Sequence, residues 1–150
     1  MKRLAFLAFL VIIAAGLCCK KEKKIEREGI VNFITGTVTL IEGGKNTPAK
    51  VGDTVKKGMK IETGDKSSID IYFDENAIKI MENSVVEIND LAVNTEDESE
   101  QTQIRIANGK VFSRVAKKLA RNDQFQVSTP TTTAGVRGTE FLVAEDKGKG

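Results

Sequence analysis

Histidine and tryptophan are missing from these 150 residues, and cysteine occurs only twice. Without histidine there is no Ser-His-Asp or Cys-His catalysis and no imidazole for a metal. The two cysteines, Cys18 and Cys19, are neighbours, and adjacent cysteines do not easily meet disulfide geometry. No thiol follows them, so the rest of the chain has neither a disulfide framework nor thiolate zinc ligands. The phosphate-cradling patterns G-x-x-x-x-G-K-[ST] and G-x-G-x-x-G are absent. Aromatics are sparse: Tyr72 is the single tyrosine, and two of the seven phenylalanines, Phe6 and Phe9, fall at the very start. That is thin for a sugar-stacking cleft. Paired carboxylates of the glycosidase type stay open in principle. Asp70, Asp74 and Glu75 are the candidates, but they occupy polar strand and turn positions expected of any half-buried sheet. The expectation is a protein that is not an enzyme, with no cofactor and no metal site.

Charge of one sign is also lacking. The chain has 23 Lys+Arg and 21 Asp+Glu. Lys2 and Arg3 belong to the leader described next, and without them the two signs balance. A global basic footprint for nucleic acid is therefore absent.

What is present begins with an export signal. Met1-Lys2-Arg3 is a short positive start, and Leu4 to Ala15 is an unbroken apolar run of twelve residues. That length fits the apolar region of a secretory signal and falls short of the about 20 residues that span a membrane. Gly16-Leu17-Cys18-Cys19 follows, and the composition then flips to KKEKK. A buried core helix is the alternative, but a core helix rarely opens a chain behind MKR. Residues 1–19 therefore read as a signal helix of a bacterial envelope lipoprotein. A cysteine thiol at the cleavage point takes diacylglycerol, and an N-acyl chain such as palmitate completes the membrane anchor. Cys19 is favoured because a small residue, Cys18, precedes it with Leu17 two before; Cys18 itself follows bulky Leu17. Ordinary signal cleavage with a soluble secreted product is the competing reading. Lys20 to Glu28 is charged, with only Ile25 as a large apolar residue, and reads as a tether.

From Gly29 the chain reads strand, turn, strand. Ile69-Asp70-Ile71-Tyr72-Phe73, Ile78-Lys79-Ile80, Val86-Glu87-Ile88, Ile104-Arg105-Ile106 and Phe125-Gln126-Val127 alternate with period two. Such alternation buries one face of each strand. Turn residues separate the runs: Gly43-Gly44, Gly52-Asp53, Gly64-Asp65, Asp74-Glu75-Asn76, Asn108-Gly109 and Asn122-Asp123. The expected fold is all-β: one domain of about ten short strands in a solenoid-like or sandwich-like roll over residues 29–146, with a tail at 147–150. Gly52, Gly58 and Gly64, six apart, hint at the solenoid alternative. The expected core is Val38, Leu40, Ile61, Ile69, Ile71, Phe73, Ile78, Ile80, Val86, Ile88, Ile104, Ile106, Phe125, Val127 and Phe141. Glu96 to Glu100 reads as a solvated hairpin loop, without the spacing or glycine of a calcium loop. Ala116 to Arg121 has the composition of one helical turn.

Three passages carry a family resemblance. The first is Gly36-Thr37-Val38 followed by Val51-Gly52-Asp53-Thr54-Val55 and on to Thr63-Gly64. The second runs from Ser68-Ile69-Asp70 to Phe73-Asp74, then Ile78-Lys79-Ile80 and Ser84-Val85-Val86. The third is Asn108-Gly109-Lys110-Val111-Phe112, then Phe125-Gln126-Val127-Ser128-Thr129-Pro130, then Ala134-Gly135-Val136-Arg137-Gly138-Thr139-Glu140-Phe141. Together, from Gly29 to Glu145, they resemble the FecR domain, the sensory module of bacterial iron-transport regulators. Two departures from the iron regulators stand out: no anti-sigma segment precedes the leader, and the chain stops soon after the GTEF strand, where relatives usually add another strand. The resemblance implies an envelope protein facing periplasm or cell surface, whose partners are the membrane and an unidentified envelope protein or polymer. The leading reading is a non-catalytic, lipid-anchored binding module; the alternative is a sensory component acting through a separate regulator. A carboxylate hydrolase is the third. Within the ending, Gly135 and Gly138 are expected to bracket a tight reversal around Arg137. The favoured reading makes Arg137 a staple for turn carbonyls with Glu140 as its mate; in the competing, functional reading Arg137 and Glu140 are the candidate binding residues. The anchor is the directly testable element: mass spectrometry of the membrane-extracted N-terminal peptide should find diacylglycerol on Cys19, or failing that on Cys18. An unacylated N-terminus in the culture supernatant would instead establish secretion.

Overall fold

The computed structural model describes residues 23–115, 119–136 and 140–145, and those residues form thirteen strands and no helix. In chain order they are β1 (Lys24–Glu26), β2 (Gly29–Thr35), β3 (Val38–Glu42), β4 (Lys45–Pro48), β5 (Thr54–Val55), β6 (Lys60–Thr63) and β7 (Ser68–Phe73). Then come β8 (Asn76–Ile80), β9 (Val85–Asn94), β10 (Glu100–Arg114), β11 (Gln124–Ser128), β12 (Thr133–Val136) and β13 (Glu140–Glu145). They make one curled sheet in the order β4-β3-β6-β9-β10-β8-β7-β2-β5.

One strand holds this sheet together. β10 is 15 residues long. Its first part pairs with β9 on one edge and, in parallel, with β11 on the other. Its last part, Val111 to Arg114, pairs with β8 and β13. The sheet thus folds over into two halves that share β10, and the core lies between them. Ile104 and Ile106 point inward from the first part of β10, and Val111 and Ser113 from the last. The inward parity switches from even to odd positions, which a simple strand cannot do. A register shift between Ile106 and Asn108 supplies the extra residue, as in a β-bulge.

Gly109 turns the chain at this switch with φ of 97°. A Cβ there would lie 2.5 Å from Cα of Ser84, so only glycine fits. Ser84 is fully buried and its polar groups are all engaged. Its hydroxyl accepts the amide of Lys110 (3.0 Å) and donates to the carbonyl of Glu82 (3.1 Å). Its amide donates to Oγ1 of Thr63 (2.9 Å), and its carbonyl accepts the amide of Thr63 (3.0 Å). β6, the turn before β9, and β10 are joined at one buried point.

Every residue expected in the core is buried except Phe141, which is half-buried and packs against the cluster. Its ring meets Phe125 edge-on at 6.2 Å, tying β13 of one half to β11 of the other. Val31, Val55, Met59, Leu91, Val111 and Val115 are also in the core, at positions where alternation is broken or too short to read. The glycines spaced by six do not mark a repeating coil: Gly52 and Gly58 take positive φ in turns, whereas Gly64 donates its amide to Thr37 from an ordinary conformation. Gly135 is not part of a reversal either, since it lies within β12 opposite Gln126. Gly138 and the 116–118 stretch of the expected helical turn lie outside the described residues; Arg121 and Asn122 form a turn.

The charged segment before the domain is also partly built in. β1 pairs antiparallel with the end of β9, Lys24 opposite Asn94 and Glu26 opposite Ala92. All three β1 side chains are exposed, so its contribution is hydrogen bonding without core burial.

The crossing at Gly109 predicts a mutational hot point. Gly109→Ala combines a strained φ with a clash against backbone, and should cost about 2–4 kcal/mol. Urea unfolding should show a lowered midpoint with unchanged slope; an unchanged midpoint would show that the crossing tolerates a side chain.

Candidate functional site

The outward positions of the second half bring together what the sequence scatters. Across strands in the spatial order β2-β7-β8-β10-β13, one row reads Ile30, Tyr72, Ala77, Arg114, Glu140. The next row reads Phe33, Asp70, Lys79, Phe112, Leu142. Ile30, Phe33, Tyr72, Phe112 and Leu142 are five of the eight exposed large apolar side chains among the described residues, at 36–58% exposure. Concentrated on one face they form a patch, which monomeric proteins rarely expose without use.

A groove of about 190 Å³ runs through this face, with Tyr72 and Phe112 among its walls and small Ala77 between them. Lys79 and Asp70 pair at 3.0 Å on its lining, and Arg114 and Glu140 line it as well. Arg114 and Glu140 face each other in register, yet form no ion pair with any described residue. A cation and an acid are thus presented beside two aromatic rings.

The outward face of the first half is different. Its row is Ile41, Lys60, Glu87, Arg105, Ser128. Opposite charges sit on neighbouring strands, and Lys60 also pairs with Glu62 at 2.6 Å. This is a solvated, self-compensating surface. A larger hollow of about 360 Å³ sits beside the Gly109 crossing, lined by Met81 to Asn83 before β9 and by residues of β10 and β13, with no aromatic among them.

Glu140, a candidate from the sequence, lies in the groove as the first residue of β13. Arg137, Cys18 and Cys19 lie outside the described residues. The carboxylate candidates do not converge as a free pair. Asp70 is held by Lys79, while Asp74, in the β7–β8 turn, is held by Arg27. Arg27 also reaches Glu100 at 3.1 Å, and its side chain is only 12% exposed. Sequence reasoning missed Arg27 because four neighbouring lysines hide it in the charged segment. It missed Phe112 and Tyr72 as a pair because their meeting depends on strand order.

The acidic loop between β9 and β10 is wired internally. Asp97 accepts the Ser99 hydroxyl at 2.7 Å and the Asn122 amide at 2.8 Å. These hydrogen bonds, from Ser99 first and Asn122 second, hold its carboxyl below the usual carboxylate range. Among the described residues no group of three acids, cysteines or histidines is placed to hold a metal ion.

Two arginines should therefore behave oppositely. Arg27→Ala removes a mostly buried cation from two acids and should cost about 1–3 kcal/mol. Arg114→Ala should stay within about 0.5 kcal/mol of wild type. Thermal melts of the two variants side by side would test this; a larger loss for Arg114→Ala would make the groove a structural element.

The FecR protein family model matches residues 59–150, a span that includes the shared strand β10 and all of the groove residues. No curated protein and no solved structure matches the chain. The family match covers more than half of the sequence, and the Asn108-Gly109 turn and the Phe125 to Phe141 ending within it build the shared strand's crossing and the closing β13 pair: the chain belongs to the FecR protein family.

Proposed function

We propose that this chain is a lipid-anchored, non-catalytic interaction module of the bacterial cell envelope, which binds a partner protein through the aromatic groove of its second half. A FecR domain is an envelope signalling or interaction module, which sets the class. The observation that carries the rest is the gathering of Ile30, Phe33, Tyr72, Phe112 and Leu142 on one face around Arg114. Tyrosine, phenylalanine and arginine in a shallow groove have the composition of an interface core. Aliphatic Ile30 and Leu142 favour a protein over a sugar polymer, since they offer no flat ring for stacking. The anchoring at Cys19 or Cys18 rests on the leader. Membership of the FecR family also supports a second reading, in which the same groove passes an envelope or iron signal to a separate regulator.

Site-specific photo-cross-linking in intact cells tests the surface. Cross-linkers at Tyr72 and Phe112 should give an adduct of discrete mass, and cross-linkers at Glu87 and Arg105 should give none. A smear of polymer-sized adducts would move the partner to an envelope polymer. Equal yields from the two faces would remove the groove as the binding site.

A further inference from the structure

We infer that the end of the roll carrying the β9–β10 hairpin tip faces the bilayer, with Glu96 to Glu98 at the level of the lipid headgroups. The inference rests on the anchoring reading above and adds an orientation to it. Three residues separate Cys19 from Lys23, so four chain steps give a reach of about 14 Å when fully extended. Lys23 itself is fixed to the domain. The Lys23 carbonyl accepts the Thr95 amide at 3.0 Å and the Thr95 hydroxyl at 2.9 Å. β1 then runs along the last three residues of β9, and the Arg27 amide bonds the Leu91 carbonyl at 2.9 Å. The Arg27 side chain closes the run on Asp74 and Glu100. The leash is therefore tied to the hairpin loop itself.

The other end of the roll is out of reach. β9 and β10 run from this loop to the Ser84–Gly109 crossing over some ten residues, about 33 Å. A leash of about 14 Å keeps the loop near the surface and leaves the crossing far from it. The charges fit that placement. Lys20, Lys21 and Lys23 lie in sequence between the anchor and the start of β1, which runs beside the acidic tip of Glu96, Asp97 and Glu98. Lysines beside a bilayer pair with anionic headgroup phosphates. The tip, kept ionised at Asp97 by its hydrogen bonds, stays at headgroup level instead of entering the acyl region. The partner of this end is thus the phosphate-bearing surface of the membrane that holds the anchor, and the groove of the second half remains free for a protein.

The absence of tryptophan makes the test clean. Glu96→Trp and Lys110→Trp each place a single tryptophan at an exposed position, one at the tip and one beside the crossing. The full lipidated protein is reconstituted into phosphatidylethanolamine–phosphatidylglycerol vesicles carrying headgroup-dansylated phosphatidylethanolamine. Energy transfer from Glu96→Trp should exceed that from Lys110→Trp at least threefold. Adding Ile25→Pro, which breaks β1 without touching the core, should bring the ratio toward one; a ratio that stays high would overturn the pinning by β1. Equal or reversed transfer in vesicle-bound protein would overturn the orientation alone. Protein that fails to float with the vesicles would overturn the anchoring reading, and the orientation with it.

Discussion

The contact between Ser84 and Gly109 is the constraint on which the rest of the structure depends. β10 serves both halves of the sheet, so it has to turn and change inward parity without losing its neighbours. A glycine at positive φ makes the turn, and a buried serine fills the space a side chain would take. Thr63 closes the arrangement through Ser84, so the same few atoms also fix where β6 meets β9. The core residues on either side, Ile106 and Val111, face one another's half only because this crossing holds. The outer groove depends on it too, since Phe112 and Arg114 are displayed by the part of β10 beyond the switch.

Much of this was legible in the chain. Strands such as Ile69 to Phe73 write their burial directly into the sequence, because one face meets core and the other water. Fourteen of the fifteen residues expected inside are fully buried, and Phe141 is half-buried because β13 pairs on one side only among the described residues. What stayed hidden was non-local. Two-residue β5 and the exposed strand β4 carry no alternation, and they exist because a neighbour offers hydrogen bonds. β1 hid for the same reason. The parity switch in β10 broke the period at the one place where the fold needed it broken.

The candidate site was legible only in part. Glu140 was visible because a motif surrounds it, and it does line the groove. Tyr72 and Phe112 stand at positions that alternation assigns to water, so a strand-by-strand reading counts them as ordinary surface. Only the order β7-β8-β10 places them around Ala77. The fold also gives Asp70 and Asp74 different partners, Lys79 and Arg27, a distinction that spacing along the chain does not hold.

The antiparallel run of β1 along β9 also sets how the fold answers to force. Lys23 is at the hairpin end of that run, so a pull on the chain at residue 23, directed away from the hairpin, acts along the strand axis. Its hydrogen bonds are loaded together in shear, with the Arg27 ion pairs behind them, instead of opening one at a time as in a zipper. Tension entering there spreads into β9 and through its partner β10 to both halves, and the short exposed strand works as a mechanical coupling.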